Sequence, residues 1–544
     1  MAVPPAFWRS PRLRPVADWF RHLGQPIAVT TVAVAALVLG GRSLGLLQGM
    51  ELAAYDQLLR SRPAAPPDDR LLVVGITEAD IQSRQEWPMT DQTLVETLQV
   101  ILAAEPRVVA LDIFRDVPME PGRAALLDLL AADNPIVTVC KINSVDNSGI
   151  APPPTSPPEQ VGFSDLPVDP GGTLRRHLVA AGPPDLPTST GDHLCNTPGT
   201  QLFSLGLQLA LVYLTVEGYP VGQTPDQQIQ VGEAVLPRLD SPWGGYRQVD
   251  AAGYQIMLNY RGQDQGVPQV SLGEVLAGTV PPEQIRDRIV LIGTVSPEAK
   301  DMFYTPYSGN LRDSQQMPGV IVHAQATSQI LSAALDGRSL IWVWPGVIEG
   351  LWIVGWTLAG AVFAAYVRRP WVFVLGGVGA IGGLYGLCYG LLLTTGGWIP
   401  LIPAAVGMGL AAVGVVLVDR VNRSAYGQAV YRQVQSFLRL KIEIDEDQVE
   451  RQVAEITESS YFNQLQQRAK NLRHQRDGAE ATPQADNAAP PGANGGDGDA
   501  LEPPTAAYLD ALRAEGQRFK QRQADTQTPP EPSDPPPQED ASDP

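Results

Sequence analysis

The residues of this chain that could do chemistry gather just past short apolar runs. The run 71–77 is followed by Glu78 and Asp80 and ends in Thr77; the run 108–114 carries Asp112 and leads to Arg115 and Asp116. Arg261 follows the run 253–260, and Thr294 and Ser296 follow 288–293. In parallel α/β sheets, ligands sit beyond the carboxyl ends of strands. A rim of carboxylates, arginines and hydroxyls suits a small polar ligand. The same residues suit a salt-bridge network that anchors loops, and at this level both readings stand.

Three other constellations invite sharper chemistry. Ser296 and His323 with a carboxylate would supply Ser-His-Asp hydrolysis, but no Gly-x-Ser-x-Gly elbow occurs, and His323 reads better as a capping or packing residue. Asp192, His193, Cys195 and His177 are zinc-ligand types, yet their spacing fits no standard framework and their surroundings are a Pro/Gly loop. Gly377-x-Gly379-x-x-Gly382 spells a dinucleotide fingerprint inside an apolar run, with no strand before it; close helix contact explains it better. Neither a metal nor a cofactor is expected. Cys140 and Cys195 share one polar segment: outside the cytoplasm they could be bonded, otherwise they are two free thiols.

The elements that must position these residues alternate. Runs 71–77, 108–114, 135–140, 253–260 and 288–293 read as strands; 91–102, 122–131 and 203–216 read as helices. Apolar strands alternating with helices predict a mainly parallel sheet in a three-layer α/β domain. After a Pro318-Gly319 turn, Val320, Ile321, Ala324, Thr327, Ile330, Leu331 and Ala334 recur at helical spacing until Asp336-Gly337. Leu340-Ile341-Trp342-Val343-Trp344 then reads as membrane entry, joined to that helix by a very short tether.

Apolar runs frame the domain. A basic arm (1–25) precedes a span at 26–47, read as an uncleaved signal anchor because no small-x-small cleavage site is found. The domain occupies 48–340, and three further spans fill 341–418, roughly 341–366, 371–393 and 398–418. The basic arm, Arg368-Arg369 and Arg420 then lie on one side, so the positive-inside rule places both termini in the cytoplasm and the domain outside the inner membrane. Arg42 and Glu349 fall about 8 Å and about 12 Å inside the outer ends of their spans at helical rise. Either they pair, or Arg42 snorkels while Glu349 is protonated or bonded to another helix. A charged helical segment (419–476) carries aromatic-aliphatic stripes, with Phe437 and Phe462 as expected contacts to a cytoplasmic partner or a second copy. An acidic tail (477–544), rich in Pro, Ala and Gly, is expected to be disordered. The net charge of −19, partly due to this tail, argues against non-specific nucleic-acid binding.

Several phrases occur together in one order: Tyr55-Asp-x-Leu-Leu-Arg-x-Arg-Pro63, Val74-Gly-Ile-Thr-Glu-Ala-Asp-Ile81, Trp87-Pro88, Leu111-Asp-Ile-Phe-Arg-Asp116, Gly253-Tyr-Gln-Ile256 with Leu258-Asn-Tyr-Arg261, Asp287 through Gly293, Lys300-Asp-x-Phe303 with Thr305-Pro-Tyr-Ser308, and Met317-Pro-Gly-Val320 through Ala333. In these the chain resembles the type 2 CHASE domain, the cyclase- and histidine-kinase-associated sensory extracellular domain, over about residues 45–340. The resemblance implies an extracytoplasmic sensory role in bacterial receptors, common in cyanobacteria, with an unknown small ligand. Such receptors usually carry a cyclase or kinase after the last span. Here about 125 residues follow it, without a Gly-rich nucleotide loop, a His-Arg-Asp loop or paired metal-binding aspartates, and His474 lacks a phosphoacceptor context. The expectation is a receptor or scaffold without catalysis of its own; the cross-class alternative is an extracytoplasmic hydrolase or metal-dependent enzyme on the same domain.

Overall fold

The computed structural model describes residues 24–186, 193–263, 266–309 and 315–423. Phe437, Phe462, the basic arm before residue 24 and the tail fall outside these residues, as does Asp192. In chain order, α1 (Gln25–Ser43) and α2 (Gln48–Arg60) lead to β1 (Leu71–Ile76), α3 (Glu78–Arg84), α4 (Asp91–Ala103), β2 (Val108–Asp112), α5 (Arg123–Ala131), β3 (Ile136–Cys140) and β4 (Val161–Phe163). An insertion follows: β5 (Arg176–Ala181), β6 (Leu202–Phe203), α6 (Leu205–Val216), the small strands β7 (Val221–Gln223), β8 (Ile229–Val231) and β9 (Ala234–Val235), and β10 (Tyr254–Met257). The chain then forms β11 (Gln269–Ser271), α7 (Leu272–Leu276), β12 (Ile289–Thr294), β13 (Met302–Phe303), β14 (Met317–Pro318) and α8 (Gly319–Leu335).

Six strands make the central sheet in the order β11-β1-β12-β2-β3-β4, and every neighbouring pair is parallel. Its central strands β1 and β12 are apolar along nearly their whole length because both faces are covered. Leu71, Val73, Val108, Ala110, Ile289 and Leu291 point toward α6 and α8. Their alternates Leu72, Val74, Val109, Leu111, Val290 and Ile292 point toward α4, α5 and α7. The helices begin where their sequences say they should: Thr90 caps α4 by accepting from the Thr93 N–H, and Ser204 caps α6 through the Leu207 N–H.

Three expectations change. The 253–260 run does not join the parallel sheet. Its strand β10 pairs antiparallel with β5, and β5 with β6, in a second small sheet. Helix α8 is apolar toward the central sheet as its spacing predicts, but its polar stripe is buried as well, under the insertion, so 15 of its 17 residues are buried. Gln325 Oε1 accepts from Arg261 N while its Nε2 donates to Gly262 O; Gln329 Oε1 accepts from Asn259 N while its Nε2 donates to Met257 O. These amides satisfy the backbone where β10 ends, as a strand partner would.

The third change lies in the apolar helices. Together with α1, the helices α9 (Gly346–Tyr366), α10 (Pro370–Thr395) and α11 (Ile402–Arg423) are long and apolar enough to cross a membrane. The expected span from 341 starts later, because Ile341–Pro345 is extended: Trp342 N donates to Gly396 O and Trp398 N to Trp342 O. Glu349 is therefore in the first turn of α9, not eight residues inside it. Close contact between α9 and α11 comes through Gly360, where an added Cβ would lie 2.2 Å from Met408 O, and Gly407, where it would lie 2.4 Å from Thr357 Oγ1. Gly377, Gly379 and Gly382, expected at such a contact, face open space in the single chain.

Candidate functional site

Many of the strand-end residues serve the loops. Thr77 and Asp80 form a capping box at the start of α3, and the second oxygen of Asp80 accepts from Gly273 N at 2.9 Å, tying in α7. Ser296 Oγ donates to Glu78 at 2.8 Å. Arg115 is buried beside Asp91, at 3.0 Å, and donates to Met89 O. Asp116 is exposed and accepts from Arg123 through its backbone carbonyl. Thr294 ends β12, half-buried. Arg261 is at the opposite end of the sheet. It donates to Asp68, which precedes β1, and to Ser328 and Ser332 on α8. It therefore does not share a rim with the others.

Asp112 stands apart. It ends β2 half-buried, accepts no hydrogen bond from the described residues, and its carboxyl is pushed up to about 7 by burial. Its neighbours are not the residues expected on the strand-end rim. Asp301 is exposed as a residue, yet its carboxylate rests on the first residue of α8: a Cβ on Gly319 would lie 2.3 Å from Asp301 Oδ2. Desolvation, then the charge of Asp112, push Asp301 up to about 6. Asp165 accepts from Ile142 N at 2.9 Å and is raised by burial, against the pull of Lys141 and His323. Beneath them His323, one turn into α8, is held down to about 4 by burial despite Asp301 and Asp165, and its Nδ1 has no partner. His177 on β5 is buried beside it, with neither ring nitrogen bonded, and is held down to about 3. This cluster, beyond the carboxyl ends of β2, β3 and β4, thus gathers three carboxyl groups and Lys141 around two imidazoles that burial keeps neutral.

Nucleophilic chemistry is not assembled there, since Ser296 is bonded to Glu78 and not to His323. Cys195 is disulfide-bonded to Cys140, which leaves no thiolate for a zinc site with His193. Among the described residues no group of three His, Cys, Asp or Glu side chains is placed to hold a metal ion.

A second constellation lies where the domain meets the apolar helices. Arg42 donates to Glu349 and, at 3.0 Å, to Gly244 O; Arg247 lies 3.7 Å from the same carboxylate. Glu51 on α2 accepts from Leu401 N and Ile402 N at 3.0 and 2.7 Å, so it caps α11. Trp398 is enclosed by Tyr55, Trp243 and Tyr246, with ring centroids 4.6, 6.1 and 5.9 Å away. Only glycine fits beneath it: a Cβ on Gly245 would lie 2.6 Å from the indole. Tyr246 donates to Asp169, which also pairs with Arg175 and Arg176, and Arg175 forks onto Asp56 of α2. The tether after α8 is thus one of several links in a broad docked joint.

The description CHASE2 domain fits residues 32–362 of the chain by comparison with protein-family models. No curated protein and no solved structure matches.

Proposed function

We propose, from the premise that the chain belongs to the CHASE2 domain family, that it is a sensory receptor or scaffold of the cytoplasmic membrane, with the α/β domain outside and both termini inside. The ligand in this reading is a small polar molecule bound over Asp112, Asp165 and Asp301. Three carboxylates against one lysine favour a ligand with a positively charged group. The observation that carries the reading is the course of α8. It starts against the Asp301 carboxylate and ends at Asp336, ten residues before α9. At helical rise it spans about 25 Å. A ligand that shifts its first turn therefore acts on the joint with the apolar helices. Output passes to a separate cytoplasmic partner or a second copy through 419–476, with no catalysis by the chain itself.

The test uses the full chain in lipid nanodiscs and a library of small amines, amino acids and sugars. A binder should slow amide exchange across 319–345, and Asp112→Asn should weaken it. A binder that leaves α8 exchange unchanged refutes the relay. Turnover of an ester or phosphate substrate by the purified chain refutes the absence of catalysis. Protease that reaches a tag after Pro544 from outside refutes the topology.

A further inference from the structure

Two imidazoles with unbonded nitrogens lie in the seam between the insertion and α8. His177 projects from β5 to the place where α6 meets α8, and it is 1% exposed. Gly206 of α6 leaves room for it: a Cβ there would lie 3.1 Å from His177 Cε1 and 3.3 Å from Ala326 Cβ of α8. Neither ring nitrogen of His177 has a hydrogen-bond partner among the described residues. His323 precedes Ala326 by one turn of α8; its Nδ1 is also unpartnered, and its other nitrogen bonds the Ser164 backbone. A buried polar group without a partner is costly, and an apolar side chain of similar size would fill the place of His177 without that cost.

The charged groups around the pair are unevenly shared. Asp301 and Asp165 face His323, with Lys141 beside those carboxylates and Asp112 beside Asp301. A proton on His323 is therefore partly offset where it sits. His177 has no such relief. β10 meets it with Ile256, its pairing partner, and α6 with Gly206; among the described residues the titratable group that acts on it is His323. Arg176, its neighbour on the strand, is turned to the opposite face and held by Asp169. A proton on His177 thus puts an unpaired charge into an apolar seam. Burial, then His323, hold the ring down to about 3.

We propose that His177 is an acid-operated latch: once protonated it cannot stay between β5, α6 and α8, and its release parts β5 from α6 and from the first turns of α8. The stimulus is the proton itself, a second input to the helix that carries the ligand signal. The latch rests on the seam alone; its effect on output rests on the relay through α8 proposed above. An exposed imidazole takes its proton near pH 6.5. Below that value the open form binds a proton that the closed form refuses, so opening should rise roughly tenfold per pH unit. Asp112 and Asp301 act in the opposite sense, because their raised values make acid favour the closed form.

The experiment follows amide exchange of the full chain in lipid nanodiscs from about pH 7.5 to about pH 4.5, a window that brackets ordinary histidine titration, with rates corrected for intrinsic pH dependence. Opening at 176–181 and 205–210 should rise roughly tenfold per pH unit below about 6.5, with 71–76 in β1 unchanged. His177→Gln and His177→Leu, neutral at every pH, should each flatten the rise, and Asp112→Asn with Asp301→Asn should leave it in place. No rise at those segments, a rise that β1 shares, or a rise that survives both His177 variants overturns the proposal. Should neither variant fold, exchange of the C2 hydrogen of His177 in the native chain decides: a midpoint near the ordinary value overturns the latch, and one well below it, with the rise at the two segments, upholds it. The tether 336–345 separates this proposal from the relay. A seam that opens without faster exchange there upholds the latch and sinks the relay; a seam that stays shut sinks the latch alone.

Discussion

Removing Glu349 should damage the joint more than removing Arg42. Both side chains are nearly inaccessible, 3% exposed for Glu349 and 9% for Arg42, and they are bonded to each other. Breaking a buried pair typically costs about 3–5 kcal/mol, because one charge stays behind without a partner. Arg247 makes the two cases unequal. In Arg42→Ala, Glu349 keeps Arg247 at 3.7 Å, and Gly244 O keeps the Arg247 donor at 2.8 Å, so about 1–2 kcal/mol is expected. In Glu349→Ala, Arg42 and Arg247 face each other with no carboxylate between them. The full cost of about 3 kcal/mol then applies, or about 6–12 °C in melting temperature for a large domain. The assay is thermal unfolding of full-length protein in one detergent, followed by tryptophan fluorescence. The swap of Arg42→Glu with Glu349→Arg should recover only part of the loss. A guanidinium at position 349 would meet Arg247, and a carboxylate at position 42 cannot donate to Gly244 O. If Glu349→Ala melts no lower than Arg42→Ala, the reasoning from Arg247 is wrong.

Three further outcomes follow from the geometry. Asp112, with a folded pKa of about 7 against an ordinary value of 3.8, binds more protons folded than unfolded between those limits, so stability should fall as pH rises through that window, at up to about 1.4 kcal/mol per unit; Asp112→Asn should flatten this part of a pH–melting curve. Cys140→Ser opens a 55-residue loop and should cost about 4 kcal/mol, matched by reductant acting on the native chain. Glu51→Ala strips the cap from α11 and should cost about 1–2 kcal/mol, with the 401 and 402 amides exchanging faster while those of β1 are unchanged.

The parallel sheet was legible because its strands are buried on both faces and their sequences are correspondingly unbroken, as Leu71–Ile76 and Ile289–Thr294 illustrate. Strand direction was not: nothing in the composition of 253–260 says that it runs antiparallel in another sheet, and this alone moved Arg261 to the far end of the domain. The edge strand Gln269–Ser271 has three residues and an exposed or half-buried pattern, too little for a periodicity. Asp165, and Asp301 although it lies in one of the matched phrases, were not read as site residues for a related reason. One follows a short 3₁₀ turn and the other a three-residue strand, so neither stands after an apolar run. The Arg42–Glu349 pairing was readable as one of two outcomes from opposite charge at similar depth, although the start of the second helix was misplaced by Pro345 and the extended segment before it.

The glutamine ladder on α8 limits how that helix can move. Gln325 and Gln329 each hold a backbone N–H and a backbone C=O of the segment 257–262, four bonds whose spacing matches one helical turn. A slide of α8 by a single residue would break all four at once and leave the amides stranded in a core without water. Helix and segment must therefore travel as one rigid lever, carrying Arg261 and Asn259 with them. A displacement of α8 that left this segment behind would cost all four bonds, so the segment is part of whatever the helix moves.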